Sequence, residues 1–276
     1  MINQDFTKPI QLESKTELNT LVQNMNKMGE SLKEKINELN EVNKKLKIEL
    51  TEKQRLLTGK ITLMRAISHE LKTPVAIING YIEALQDGLI PAEDIEKTYN
   101  LIYNEGLAMD RLVKNINSYL KSTDYATVDL FEEEFDVREI IEQDIARYKL
   151  DIMQKNIVLI CDLEQTEVVI DKKCLKTILN NLLTNALTYV DNRKIIEITL
   201  KDKVLQIANS SENISDETME KIFNPFFKGD FSRQRKYGGT GLGLSIVKNL
   251  LEFLKFEYSF KFDKDKKFAI FTIKFK

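Results

Sequence analysis

Between Thr16 and Gln86 the apolar residues recur at steps of three and four. They run Leu18, Leu21, Met25, Met28, Leu32, Ile36 and Leu39, then Leu46, Leu50, Leu57, Ile61, Met64, Leu71, Val75, Ile78, Ile82 and Leu85. Most positions between them are charged or amide residues, and the only breakers are Gly29, Gly59, Pro74 and Gly80. This spacing puts the apolar residues on one narrow stripe of a helix, the seam of a coiled coil. It predicts one long helix, roughly 105 Å over 70 residues at about 1.5 Å per residue, paired in parallel with a second copy of the chain. The steps 28–32–36 and 46–50 (then 54) each add an extra four, which locally unwinds such a supercoil. Asn43 falls on the seam, where a polar residue fixes register.

The stretch "QDGLIPAED" breaks the pattern, and Pro91 is expected to open a second helix with the seam Ile95, Tyr99, Ile102, Gly106, Met109, Val113, Ile116 and Leu120. Two antiparallel helices per chain, doubled in a dimer, make a four-helix bundle. After "KSTDYATVDL" helical stretches at 137–155, 171–190 and 243–254 alternate with strand-like ones. "KIIEITL" and "KVLQIAN" flank a short polar turn. "FEYSFKF" and "FAIFTIKF" alternate with period two around "DKDKK". The expected architecture is multidomain: a long coiled coil and antiparallel helical hairpin forming a dimeric four-helix bundle, followed by an α/β two-layer sandwich. The boundaries are drawn at 1–58, 59–124 and 125–276.

Composition narrows the function. The 276 residues are 42 % hydrophobic and 30 % charged, enough for a core plus solvated helices. A net charge of −2 makes no case for nucleic-acid binding. Cys161 and Cys174 form no CxxC pair, and His69 is the single histidine, which argues against a His/Cys metal site. No apolar run approaches the ~18 residues of a membrane helix.

His69 lies one residue off the seam, so it should sit on the flank of the bundle, partly in water. Such a histidine is either a solvated surface residue or a nucleophile. Three neighbours favour the nucleophile. Glu70 is placed to hold one ring nitrogen and free the other. Thr73 is one turn on, on the same flank. Pro74 removes a backbone N–H and loosens the helix just beyond. Far downstream, "YGGTGLGLSIVKNLLEFL" carries Gly238, Gly239, Gly241 and Gly243 into an apolar helix. This is either a hinge or a close-approach loop whose helix start meets an anion. In "DKKCLKTILNNLLTNALTYV", Asp171 suits an N-cap, and Asn181 and Asn185 share one helix face. Two such amides are either solvated or ligands of a phosphate-bound hard cation. No P-loop and no strand followed by GxGxxG is present.

Taken together, "SHELKTP" resembles the phospho-acceptor box of the sensor histidine kinases of bacterial two-component systems. "NNLLTNALTY" resembles the N box, "IFNPFFKGD" the aromatic box and "GGTGLGLSIVK" the second glycine box of the ATP-binding domain those kinases share with gyrase-type ATPases. "QDFTKPIQLESKTELNTLVQNMNKMGESL" resembles the second half of a HAMP signalling module. The resemblance runs from residue 4 to 276. It implies a HisKA-type dimerisation domain and a GHKL-type ATP domain, with ATP-dependent phosphorylation of His69 and transfer to an aspartate of a response regulator. Glu70 would orient the ring, and Thr73 would hold a water for dephosphorylating the regulator. Asn185, with Asn181, would hold Mg²⁺ on the ATP phosphates, and Tyr189 would lie against adenine. Gly239, Thr240, Gly241, Leu242, Gly243 and Leu244 would wrap the phosphates.

Phe223, Phe226 and Phe227 would be core or the hinge of a lid. The cations Lys228, Arg233, Arg235 and Lys236 would meet the phosphates or merely be solvated. The partners implied are a second copy of the chain and a response regulator. The expected location is the cytoplasmic side of a membrane, this chain being a cytoplasmic piece of a membrane sensor with Met1 an artificial start.

Two departures stand out. The family's Asp-x-Gly-x-Gly box aligns with "NSSEN", residues 209–213, so Asn209 replaces the adenine-reading acid and both glycines are gone. An amide oxygen still accepts a hydrogen bond, but one weaker by about a kcal/mol than a carboxylate's. Thr188 also stands where a lysine is common. Two other readings remain beside the kinase: a pseudokinase that sequesters a regulator, and a gyrase-like ATPase.

Overall fold

The computed structural model describes residues 17–123, 131–229 and 239–276. The chain divides into two units, one up to Met64 and one from Arg65 to Lys276. Helix α1 spans Glu17–Gln86. In the first unit its apolar seam stands open: Leu21, Met25, Met28, Leu32, Ile36, Leu39, Leu46, Leu50, Leu57, Ile61 and Met64 are all exposed, from 41 % at Ile36 to 72 % at Met28. An apolar stripe of this length left in water is unusual for a finished fold. It is consistent with the predicted seam and with a covering helix from outside the chain.

In the second unit α1 continues through the buried Pro74 without interruption. The loosening expected there is therefore not a break in the helix. Its end is built by Gly88 at φ 65°. Leu89 N–H donates to Ala84 C=O (2.9 Å) and Gly88 N–H to Leu85 C=O (3.3 Å), the paired bonds of a Schellman ending. Pro91 is extended and leads into a 3₁₀ turn, Ala92–Asp94, so helix α2 spans Ile95–Thr123 and begins four residues after the proline. Much of its predicted seam is likewise exposed, including Ile95, Tyr99, Val113 and Leu120.

The remaining residues form an α/β body. Strand β1 (Glu132–Asp136) pairs antiparallel with β3 (Glu167–Asp171). Helices α3 (Val137–Arg147) and α4 (Lys149–Gln154) lead to β2 (Val158–Leu163). Helix α5 (Lys172–Tyr189) precedes β4 (Ile195–Lys201) and β5 (Val204–Ser210). Then come α6 (Asp216–Lys221), α7 (Gly243–Phe253), β6 (Glu257–Asp263) and β7 (Phe268–Lys274). The five-stranded sheet has the order β2-β4-β5-β7-β6, with β2 parallel to β4 and the other pairs antiparallel. The two hairpins read from the sequence are present.

The core lies between this sheet and the helices. Ile140 and Ile141 of α3, Leu175, Ile178 and Leu179 of α5, and Ile246 and Leu250 of α7 meet Ile196, Ile198, Leu200 and Leu205 of the sheet. Each of the helices that opens toward a strand is capped by that strand's last residue. Asp136 accepts from Arg138 N–H (3.0 Å) and Thr166 N–H (3.0 Å). Asp171 accepts from Lys173 N–H (2.8 Å) and Cys174 N–H (3.2 Å), as its N-cap reading required; such a cap contributes about 1 kcal/mol. The helix expected over 137–155 is two helices parted at Tyr148, whose hydroxyl donates to Asn180 Oδ1 of α5 at 2.5 Å. From the second half of α2, Ile116 and Tyr119 pack against the same core. Among the described residues no helix is long and apolar enough to cross a membrane.

Candidate functional site

The candidate acceptor side lies on α1. His69 is exposed and Glu70 half-buried. Thr73 shares their flank, its hydroxyl donating to the His69 carbonyl at 3.3 Å. Glu70 takes a different partner from the one its position suggests. Its Oε2 accepts from Lys228 Nζ at 2.6 Å, both side chains being 30 % exposed. The family resemblance puts Lys228 at the nucleotide phosphates or in solvent; the structure instead joins it to Glu70, 158 positions away, in one ion pair. A second bond ties the same helices to the glycine box: Asn115 of α2 donates to Thr240 Oγ1 at 3.0 Å.

The candidate donor side is built by α5 and the start of α7. Asn181 spends its amide N–H on the Thr177 carbonyl (2.7 Å), which leaves Oδ1 as an acceptor facing α7. A Cβ at Gly243 would lie 3.1 Å from that oxygen, and one at Gly239 would lie 3.0 Å from the Tyr189 hydroxyl. Gly241 has the strongest requirement. Its φ is +71°, and a Cβ there would come within 2.9 Å of the Phe226 and Phe227 backbone. Phe226 N–H donates to the Gly241 carbonyl at 2.9 Å, which holds the aromatic box against the glycine box. Leu242 and Leu244 are buried and anchor the α7 start. Among the described residues no side chain caps the α7 N-terminus, an arrangement suited to an anion. Phe223, half-buried, packs edge-on against Tyr258 (5.8 Å) and Phe271 (6.2 Å) at the margin of the core. Arg233, Arg235, Lys236 and Gly238 lie outside the described residues.

Between α5 and the sheet is a cavity of about 10 Å³, enough for one water. Asn185, Leu182, Ile207, Asn209, Phe260 and Phe271 line it. The sequence pointed to the two asparagines. The strand residues were not legible, because only long-range register brings β5, β6 and β7 together there. Asn209 is buried, and its Nδ2 donates to the Ser210 carbonyl (3.2 Å) and the Tyr189 carbonyl (3.4 Å). Its Oδ1 is thereby left as the acceptor. Burial pushes the Tyr189 hydroxyl above its ordinary pKa.

Among the described residues no three His, Cys, Asp or Glu side chains gather to hold a metal. The amide oxygens of Asn181 and Asn185 instead suit a hard cation that arrives with phosphate and water ligands.

Residues 60–124 match the sequence family described as His Kinase A (phospho-acceptor) domain. Residues 170–276 match the histidine kinase-, DNA gyrase B-, and HSP90-like ATPases. Sensor histidine kinase CssS of Bacillus subtilis (strain 168) is 30 % identical over 267 residues, covering 95 % of this chain and 52 % of CssS. Signal transduction histidine-protein kinase BaeS of Escherichia coli (strain K12) is 28 % identical over 253 residues, 90 % of this chain and 49 % of BaeS. Of solved structures, histidine kinase ThkA in complex with response regulator protein TrrA superposes with a TM-score of 0.60 at 26 % identity, over 78 % of this chain and 61 % of that one. The chain spans about half the length of these curated relatives.

Proposed function

We propose, from the premise that this chain belongs to the sensor histidine kinases, that it phosphorylates itself on His69 with ATP and passes the phosphoryl group to an aspartate of a response regulator. One observation carries the reading: an exposed histidine with a carboxylate neighbour and an ATPase-type cradle of glycines and amides occur in one chain, joined by the Glu70–Lys228 pair.

In the reaction one neutral ring nitrogen of His69 attacks the γ-phosphorus. The N–P bond forms as the bond to the β–γ bridging oxygen breaks, and ADP leaves with that electron pair. Glu70 accepts the N–H of the other ring nitrogen and fixes the tautomer. Lys228 meets the transferring phosphate, beside the α7 N-terminus. Glu70 can accept from His69 through its other oxygen, but Lys228 has to leave Glu70 to reach a phosphate beside α7, so the paired arrangement is a resting one. Asn185 and Asn181 would hold Mg²⁺, which would supply charge neutralisation at the phosphates. The protein's own contribution is positioning. Transfer to the regulator regenerates neutral His69 and places the phosphoryl group on a carboxylate oxygen.

The complex of ThkA with a response regulator supports this class of partner. The open seams of α1 and α2 support a homodimer. The proposed division of the chain is a HAMP-type relay in the first 58 residues, the phospho-acceptor domain over 59–124 and the ATP domain over 125–276. The proposed location is the cytoplasmic face of a membrane, as part of a sensor. A second activity, removal of phosphate from the regulator, is supported by the Thr73 hydroxyl on the flank of His69.

The test is transfer from the phosphorylated chain to a receiver domain. Label should move to the wild-type receiver and not to one whose acceptor aspartate is alanine. Label that stays on the chain with every receiver offered would overturn the second half of the proposal.

A further inference from the structure

Where the family box carries glycines, this chain carries Ser211 and Asn213, and something else must hold the turn after β5 in place. The residues that do so follow α5. Asp191 N–H donates to the Ser210 carbonyl (2.9 Å), and Ser210 Oγ is 2.6 Å from Asp191 Oδ1 and accepts from Ile195 N–H (3.2 Å). Ser210 is fully buried. Arg193 completes the knot. Its backbone N–H donates to Asp191 Oδ1 (2.9 Å), and its Nε and Nη2 donate to Asp191 Oδ2 (3.0 and 2.8 Å). Nη1 reaches the Lys266 carbonyl (2.9 Å), and Nη2 also reaches the carbonyls of Ser211 (3.2 Å) and Lys267. The guanidinium carbon sits 5.5 Å from the Phe268 ring centroid. Ser211 N–H in turn donates to the Lys267 carbonyl at 3.0 Å.

One guanidinium thus ties three loops together: the exit of α5, the turn after β5 and the β6–β7 turn. The segment it fixes begins next to Asn209, which lines the cavity and leans on the α5 exit through the Tyr189 carbonyl. We propose that Arg193, held by Asp191, is a positioning residue for the nucleobase: it fixes the 209–211 backbone so that Asn209 Oδ1 faces the base as an acceptor. A fixed acceptor favours a purine with a 6-amino donor over one with a 6-oxo acceptor. Arg193 replaces by cross-linking the geometry that glycines supply elsewhere. Lysine cannot substitute, because a single ammonium lacks the planar fork that spans a carboxylate and three carbonyls. The inference rests on the proposed function, with the base of ATP seated against Asn209 on the open side of this cavity, which is itself too small to enclose a base.

The experiment measures equilibrium binding of Mg-ATP and Mg-GTP to the wild-type chain, Arg193→Gln, Arg193→Lys and Asp191→Asn, alongside amide hydrogen exchange without nucleotide. Arg193→Gln should raise the Kd for Mg-ATP about tenfold, the scale of a lost charge-assisted bond. The Kd ratio of GTP to ATP should fall toward one, with Arg193→Lys resembling Arg193→Gln. Asp191→Asn, which leaves the three carbonyl contacts in place, should give a smaller rise. Exchange should accelerate over 209–213 and 266–268 while α7 keeps its protection. An unchanged Kd and ratio despite faster local exchange would overturn the proposal and leave the nucleotide reading intact. Equal weakening of both nucleotides, with exchange faster throughout, would also overturn it, since a folding defect predicts that. Wild-type protein that binds neither nucleotide would remove the nucleotide reading and this inference with it.

Discussion

The acceptor half and the donor half of this chain reach their chemistry by opposite means. The donor half is a closed α/β body whose sheet, α5 and α7 bury a common core, and its candidate site depends on close backbone approach at Gly239, Gly241 and Gly243. The acceptor half is helix alone. Its reactive candidates stand on a flank where His69 and Thr73 are exposed, and much of its apolar seam is exposed among the described residues. The donor half is therefore expected to be complete in one chain, whereas the acceptor half needs a second copy.

The largest effect that sharpens this contrast is at Asn185. Asn185→Ala should weaken Mg-ATP binding by roughly a hundredfold or more, since a cation-held phosphate loses a ligand worth several kcal/mol. The oligomeric state should not change. Calorimetry and light scattering on the same sample check both, and loss of the dimer in this variant would break the division between the halves.

The next effect is the reverse. Leu39→Lys with Leu46→Lys puts charges on the seam, where a dimer would bury them at a cost of several kcal/mol. Sedimentation should show a monomer, with the Kd for Mg-ATP within about twofold of wild type. A dimer that survives both lysines would mean the seam is not the interface.

A smaller effect concerns Lys228. If Glu70–Lys228 is a resting pair, Glu70→Gln should free the lysine and tighten Mg-ATP binding by a fewfold, roughly the 0.2–1 kcal/mol of a partly exposed ion pair. Weaker binding in that variant would show the pair to be part of the active arrangement.

The smallest effect is one of pH. Burial alone would raise the Asp191 carboxyl, but hydrogen bonds from Arg193 and Ser210 outweigh it and hold the pKa below the ordinary 3.8. Its contribution to stability is thus complete above the unfolded value and is lost as the pH falls through the lowered one. Thermal unfolding followed from roughly pH 5 to pH 3 should decline less steeply in Asp191→Asn than in wild type.

The proposed phosphate end of the site was readable as a candidate in the sequence because its demands fall on residue type. At Gly241 a positive φ and a backbone contact exclude every side chain, and Asn181 and Asn185 are four apart on one helix. The base end was legible only as a deficit, the "NSSEN" stretch. What fills that deficit, Arg193 and Asp191, looks like ordinary loop charge until the register Ser210↔Phe268 brings β7 beside β5. The Glu70–Lys228 pair was hidden for the same reason of sequence separation. The long helix was legible because its period persists for 70 residues. Strands β1, β2 and β3 were not, being short and rich in acidic or edge positions. The split of the first α/β helix turns on Tyr148 and its bond to Asn180, a contact with no local sequence signal.

The most direct measurement is incorporation of label from γ-labelled Mg-ATP into the wild-type chain and His69→Gln, with the bond assayed in acid and in base. The account predicts an acid-labile, base-stable label in wild type that is absent from His69→Gln, with ATP binding unchanged. Label that persists in His69→Gln, or a wild-type chain that binds Mg-ATP yet never becomes labelled, would contradict it.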